Sequence, residues 1–148
     1  MIQRHQQLLR HKPEEGVHGD CFRTVVACIL HLPPEEVPHV YDGTDDETGY
    51  ERMRAFLRDR GFVLLQVVLN GTMTLEEILA YGARCSAGLP WLLTGESRNG
   101  TNHVVVCIGD QIAHDPAIDQ SGIVGPTLEG AWWIEWIVRP AHQLEVAA

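Results

Sequence analysis

Two residues able to do nucleophilic chemistry stand at the starts of two elements. Cys21 follows Asp20 and opens a segment with helical apolar spacing, and His103 opens the run Val104, Val105, Val106, Cys107, Ile108. A thiol attacks as its thiolate, and the partial positive charge at a helix N-terminus favours that anion. An imidazole at the mouth of an apolar strand sits at a core edge, where it can take a proton as a general base. Such a pair carries acyl transfer: the sulfur attacks an amide or ester carbonyl and the imidazole moves the proton. Taken singly, each residue has a plainer reading, a buried cysteine in a first helical turn and a histidine that caps a strand. Cys28, Cys85 and Cys107 lie inside elements and read as small buried hydrophobes.

The imidazole needs a third group to hold its orientation, and a carboxylate does so by accepting the ring N–H. Asp115 is placed for this, at the end of the segment Gln111 to Asp115 that pairs back on Asn102 to Ile108 around Gly109-Asp110. A regular two-residue turn would pair Asp115 with Val104 and turn its side chain away from His103, because faces alternate along a strand. A three-residue connection or a bulge brings Asp115 onto the His103 face, diagonal to it. The chemistry therefore predicts an irregular hairpin. Negative charge developing on the attacked oxygen needs donors. The Cys21 backbone N–H is one, and an upstream side chain supplies the other, with His18 nearest and His11 and Gln7 as further options.

Around these residues the sequence reads as helices first and mostly antiparallel strands after, an α+β pattern in one domain over residues 1–148. Cys21, Thr24, Val25, Cys28 and Leu32 share one face of a helix that Asp20 caps and Pro33-Pro34 stops. A helical turn over Pro34 to Val37 follows. The acidic loop Tyr41 to Gly49 lacks the spacing of a calcium loop, and its Thr48 or Asp46 caps the next helix. That helix, Tyr50 to Arg60, turns Met53, Phe56 and Leu57 inward and ends at Gly61. Phe62 to Leu69 reads as a strand, Thr74 to Ala83 as a helix with a Thr74–Glu77 capping box, and Leu89 to Thr94 as a short buried strand. After the hairpin, Ala117 to Gly130 is a long loop of the kind that borders sites. A last strand, Ala131 to Val138, bears Trp132, Trp133 and Trp136, at least one of which packs in the core.

The chain has 148 residues, 45% of them hydrophobic, as expected of one globular core. Its net charge of −9, without a basic cluster, argues against nucleic acid as a partner. Met1 to Arg10 lacks the apolar stretch of a secretory signal, and no apolar run reaches membrane-spanning length. The protein thus reads as soluble and cytoplasmic, with no membrane partner, in a reducing compartment. No CxxC pair is present, so zinc held by the usual closely paired ligands is not expected, and no motif calls for another metal or cofactor. The residual metal reading would gather Cys21, His103, His114 and Asp115.

The segments GDCFRTVVACILHLPPEEVPHV and NHVVVCIGDQIAHDP resemble papain-like cysteine peptidases, in two blocks covering roughly residues 11–40 and 102–137. Within that superfamily they look most like the double-glycine leader peptidase branch and small, uncharacterised bacterial and phage proteins. The resemblance implies a papain-like α+β fold, with N-terminal helices packed on a mostly antiparallel sheet. It also implies Cys21 as nucleophile, His103 as base, Asp115 as orienting acid, and a peptide, amide or protein substrate. The chain departs from the leader peptidases at Glu15, where they carry an oxyanion-hole glutamine; a carboxylate there would repel an oxyanion. Two functions follow. One is thiol-dependent acyl transfer, as a peptidase, amidase or deamidase. The other is a binding or inhibitory module on the same scaffold with the chemistry lost.

Overall fold

Residues 1–141 are described by the computed structural model, and residues 142–148 of the expected domain lie outside the described residues. Three α-helices form: α1 (Cys21–Leu30), α2 (Gly49–Arg58) and α3 (Leu75–Ser86). Five strands form: β1 (Val63–Asn70), β2 (Trp91–Glu96), β3 (Asn102–Ile108), β4 (Gln111–His114) and β5 (Ala131–Val138). The strands make one antiparallel sheet in the order β1-β5-β2-β3-β4. The architecture is α+β. Among the described residues no helix is long and apolar enough to cross a membrane.

Both faces of the central strands are covered, which explains why they read as unbroken apolar runs rather than as alternating ones. Leu92, Val104 and Val106 pack with Val25, Val26 and Cys28 of α1 and with Met53 and Leu57 of α2. Their neighbours Trp91, Leu93, Val105 and Cys107 pack on the other face with Ile78 of α3, Trp132 and Ile134. Each such side chain taken from water contributes about 1.5–3 kcal/mol, so α1 is anchored rigidly against β3. Trp132 is the core tryptophan among the three of β5, while Trp133 and Trp136 are half-buried. Gly82 leaves room for the Trp91 ring, which a Cβ at that position would strike.

Several boundaries differ from the expected ones for local reasons. His31 takes a left-handed conformation at φ 58°, so α1 stops before Leu32, whose N–H still folds back on Ala27 O. Pro90 has no N–H to pair, and β2 begins after it, at Trp91. The Thr74–Glu77 capping box is present. The caps expected from Asp20 and from Thr48 or Asp46 are not. The Thr48 hydroxyl bonds to Asp45 within a 3-10 turn that runs straight into α2. Asp20 occupies the cap position of α1 without a side-chain cap bond, because its carboxylate is taken up elsewhere. Cys85 is also not buried as expected: it lies on the exposed side of α3.

Candidate active site

The helix start is fixed from the N-terminal side. Residues Gln3 to Leu9 run along α1 as a strap: the Gln3 N–H donates to Cys28 O at 2.9 Å and the Gln7 N–H to Pro116 O at 2.9 Å. The Asp20 carboxylate accepts the Leu8 and Leu9 N–H groups at 3.3 and 2.9 Å, and Arg23 Nε at 2.8 Å. Asp20 is 1% exposed. A buried carboxylate of this kind is held by its hydrogen bonds and one cation. The cost of losing the helix cap is offset because Asp20 ties the strap to the residue next to Cys21.

Cys21, half-buried at the first position of α1, meets His103 from β3. The β3–β4 hairpin carries the irregularity expected from the sequence. Cys107 faces Ile112 but Val106 faces His114, so Ala113 is an extra residue and Asp115 moves to the His103 face. His103 Nε2 donates to Asp115 Oδ1 at 2.7 Å. That leaves Nδ1 on the far side of the ring, and the thiol of Cys21 is the second side-chain partner of the imidazole. Asp115 is itself held: the Ala117 N–H donates to Oδ1 at 2.8 Å and the Gly122 N–H to Oδ2 at 2.7 Å. Gly122 has φ 68°, a conformation that only glycine adopts freely, and this aims its N–H at the carboxylate.

The electrostatics follow from these contacts. Burial alone would lower the His103 pKa, but the hydrogen bonds to Asp115 and Cys21 and the charges of both residues outweigh it and push the imidazole up to about 9. Burial would raise Asp115, yet the bonds from His103, Ala117 and Gly122 hold it below the ordinary carboxylate value. Cys28 and Cys107 are buried thiols pushed upward by desolvation, which disfavours their anions.

Two lobes of one cleft open on Cys21 and His103. The first, about 540 Å³, is bordered by Gln7, Lys12, Ser97 and the loop at Ala117 to Asp119. The second, about 410 Å³, is walled by Phe22, Tyr41, Tyr50 and Trp133. His18 borders the second lobe, with its ring against Gly43 and its backbone oxygen bonded to His39 Nε2. Gln7 borders the first. A Cβ on Gly19 would lie 3.1 Å from Gln7 Nε2 and 2.9 Å from His11 Cβ, so glycine lets the strap lie against the residues just before Cys21. One N–H of the Gln7 amide is bonded to Leu9 O at 3.1 Å, and an amide nitrogen has a second to give. Glu15 borders neither lobe; it is exposed and bonds to Lys12 at 3.3 Å. His114 is turned away from the cleft, its Nε2 on His5 O at 2.6 Å, so the four residues of the metal reading are not brought together. Among the described residues no group of three acidic, histidine or cysteine side chains is arranged to hold a metal ion.

One residue of the cleft escapes the sequence reading. Glu135, in the middle of β5, faces the second lobe at 3% exposure, and Oε2 has no hydrogen-bond partner among the described residues. Burial pushes its carboxyl up to about 8. The phenols of Tyr41 and Tyr50 are pushed up to about 12, first by burial and then by the Glu135 charge. A signal for it exists in the sequence, a lone acid at an inward position of AWWIEWIV. Comparison with family models, with curated proteins and with solved structures yields no match.

Proposed function

We propose that this chain is a thiol-dependent acyl-transfer enzyme of papain-like type, acting on a peptide or amide. The observation that carries the reading is the Cys21–His103–Asp115 relay at the junction of two open lobes, with His103 bound through Nε2 to a carboxylate that is itself fixed by two backbone N–H groups. His103 takes the thiol proton of Cys21 at Nδ1, which gives the thiolate, the attacking form of a cysteine. Cys21 Sγ attacks the carbonyl carbon, and the tetrahedral oxyanion takes hydrogen bonds from the Cys21 N–H and from the free N–H of Gln7. His103 then gives its Nδ1 proton to the leaving amine, leaving a thioester on Cys21. Water, deprotonated by His103, hydrolyses the thioester; an amine in its place gives transfer. Peptidase, amidase and deamidase activities share these steps, and the lobes select among them by which acceptor they admit.

The alternative of an inactive module on the same scaffold leans on Glu15, and Glu15 points to solvent on Lys12. The test is thiol labelling with iodoacetamide at pH 6.5, read by mass spectrometry. Cys21 is expected to react at least about 100-fold faster than the exposed Cys85, and His103→Ala to abolish that advantage. Equal rates at Cys21 and Cys85 would sink the reading. Thioesters trapped on Cys21 from peptide mixtures then give the substrate.

A further inference from the structure

We propose that the second lobe binds a basic side chain, arginine or lysine, of the acyl donor, with Glu135 as its counter-ion. The lobe adjoins Cys21 and His103, so a side chain seated in it belongs to a residue close to the attacked carbonyl. This inference rests on acyl transfer at Cys21 for the substrate but not for the binding itself.

Glu135 sits among Tyr41, Tyr50 and Trp133 on the floor of an open lobe, with one oxygen unpartnered. A buried carboxyl without a hydrogen bond is costly, and ligand-binding clefts are a common place to find one. Glu135 does not reach the relay: the bonds of His103 and Asp115 are all accounted for without it. The aromatic walls suit a long apolar stem, and the faces of tyrosine and tryptophan attract a cation. The cation Arg23, which borders the same lobe, is committed to Asp20 at 2.8 Å and does not neutralise Glu135. Two further acids at the rim, Asp46 and Glu129, add negative potential at the entrance. An apolar side chain would leave the carboxyl unpaired, and an acidic one would be repelled by its charge.

The experiment compares two ligands of the same shape, N-acetyl-arginine amide and N-acetyl-citrulline amide, by calorimetric titration of the full chain. Citrulline keeps the stem and loses the charge. Arginine is expected to bind at least about tenfold more tightly, the scale of one hydrogen bond to a charged group. Glu135→Gln is expected to remove the difference. Equal affinity of the wild type for the two ligands, or a preference that survives in Glu135→Gln, overturns the proposal. Because the first comparison needs only the wild type, poor folding of the variant does not shelter the idea. Iodoacetamide labelling of Cys21 in parallel separates the two readings. Arginine selectivity with an unreactive Cys21 keeps the lobe and removes the enzyme; a reactive Cys21 without arginine selectivity does the reverse.

Discussion

Replacing Glu135 by glutamine removes a carboxyl that the fold can ionise only at a cost. The unfolded chain releases the Glu135 proton near its ordinary value of 4.5, whereas the folded chain holds it to about 8. Between those values the folded state binds more protons than the unfolded one, so this residue makes stability fall as pH rises. At about 1.4 kcal/mol per pH unit, a window this wide amounts to roughly 4–5 kcal/mol, a large share of the roughly 5–15 kcal/mol that holds a typical domain together. His103 works in the same direction in both proteins: the stability from its pairing is whole below 6.5 and is lost as pH rises through about 9. The difference between wild type and Glu135→Gln cancels that contribution. Urea unfolding of both proteins at pH 5 and pH 9 should therefore show the variant gaining roughly 4 kcal/mol on the wild type across the interval. Parallel stability profiles would refute the reasoning, because they would mean that the carboxyl is hydrated or paired in the folded protein.

Three further outcomes are expected. Asp115→Asn removes the charge that supports the imidazolium, so the His103 titration seen by NMR moves down from about 9, and turnover of any acyl substrate falls by about 10³–10⁴. Gln7→Ala lowers acyl turnover by about 10²–10³ while sparing iodoacetamide alkylation, a reaction that forms no oxyanion; a parallel loss of both would show that Gln7 only holds the strap. Asp20→Ala strands Arg23 and two backbone N–H groups, and urea unfolding should record a loss of about 3 kcal/mol or more.

The sequence exposes those parts of the structure whose causes are local. Val104, Val105, Val106 and Ile108 mark β3, and the bounds expected for β3 and β5 match the observed ones, because a β-branched run between polar turns has no other good conformation. Asp115 is reachable through chemistry: the orienting role expected of it requires a hairpin irregularity, and the register shift at Ala113 is one. The strap was hidden. Gln3 to Leu9 has no periodicity, and its bonds run to Cys28, Asp20 and Pro116, far along the chain. Asp20 looked like a cap because nothing nearby announces the N–H groups of Leu8 and Leu9 as competitors. Cys85 was misplaced for a smaller reason: α3 runs on to Ser86 and carries Cys85 round to the side facing water. Glu135 escapes the sequence reading because a lone inward acid says nothing of its surroundings: Tyr41 and Tyr50, which share its lobe, come from far along the chain.

The strap has a kinetic consequence as well. Gln7 is tied to Pro116 and Cys21 meets His103, so the first part of the site and the last are brought together from distant stretches of chain. Contacts of large sequence separation pay their loop-closure entropy late, after local helices have formed. In a refolding time course, helical circular dichroism should therefore recover before selective alkylation of Cys21, and simultaneous recovery would contradict this order. During synthesis, the thiol leaves the ribosome long before its base does. On the proposed function, the nascent protein would carry a latent nucleophile, armed only once the second half of the chain has folded back onto the first.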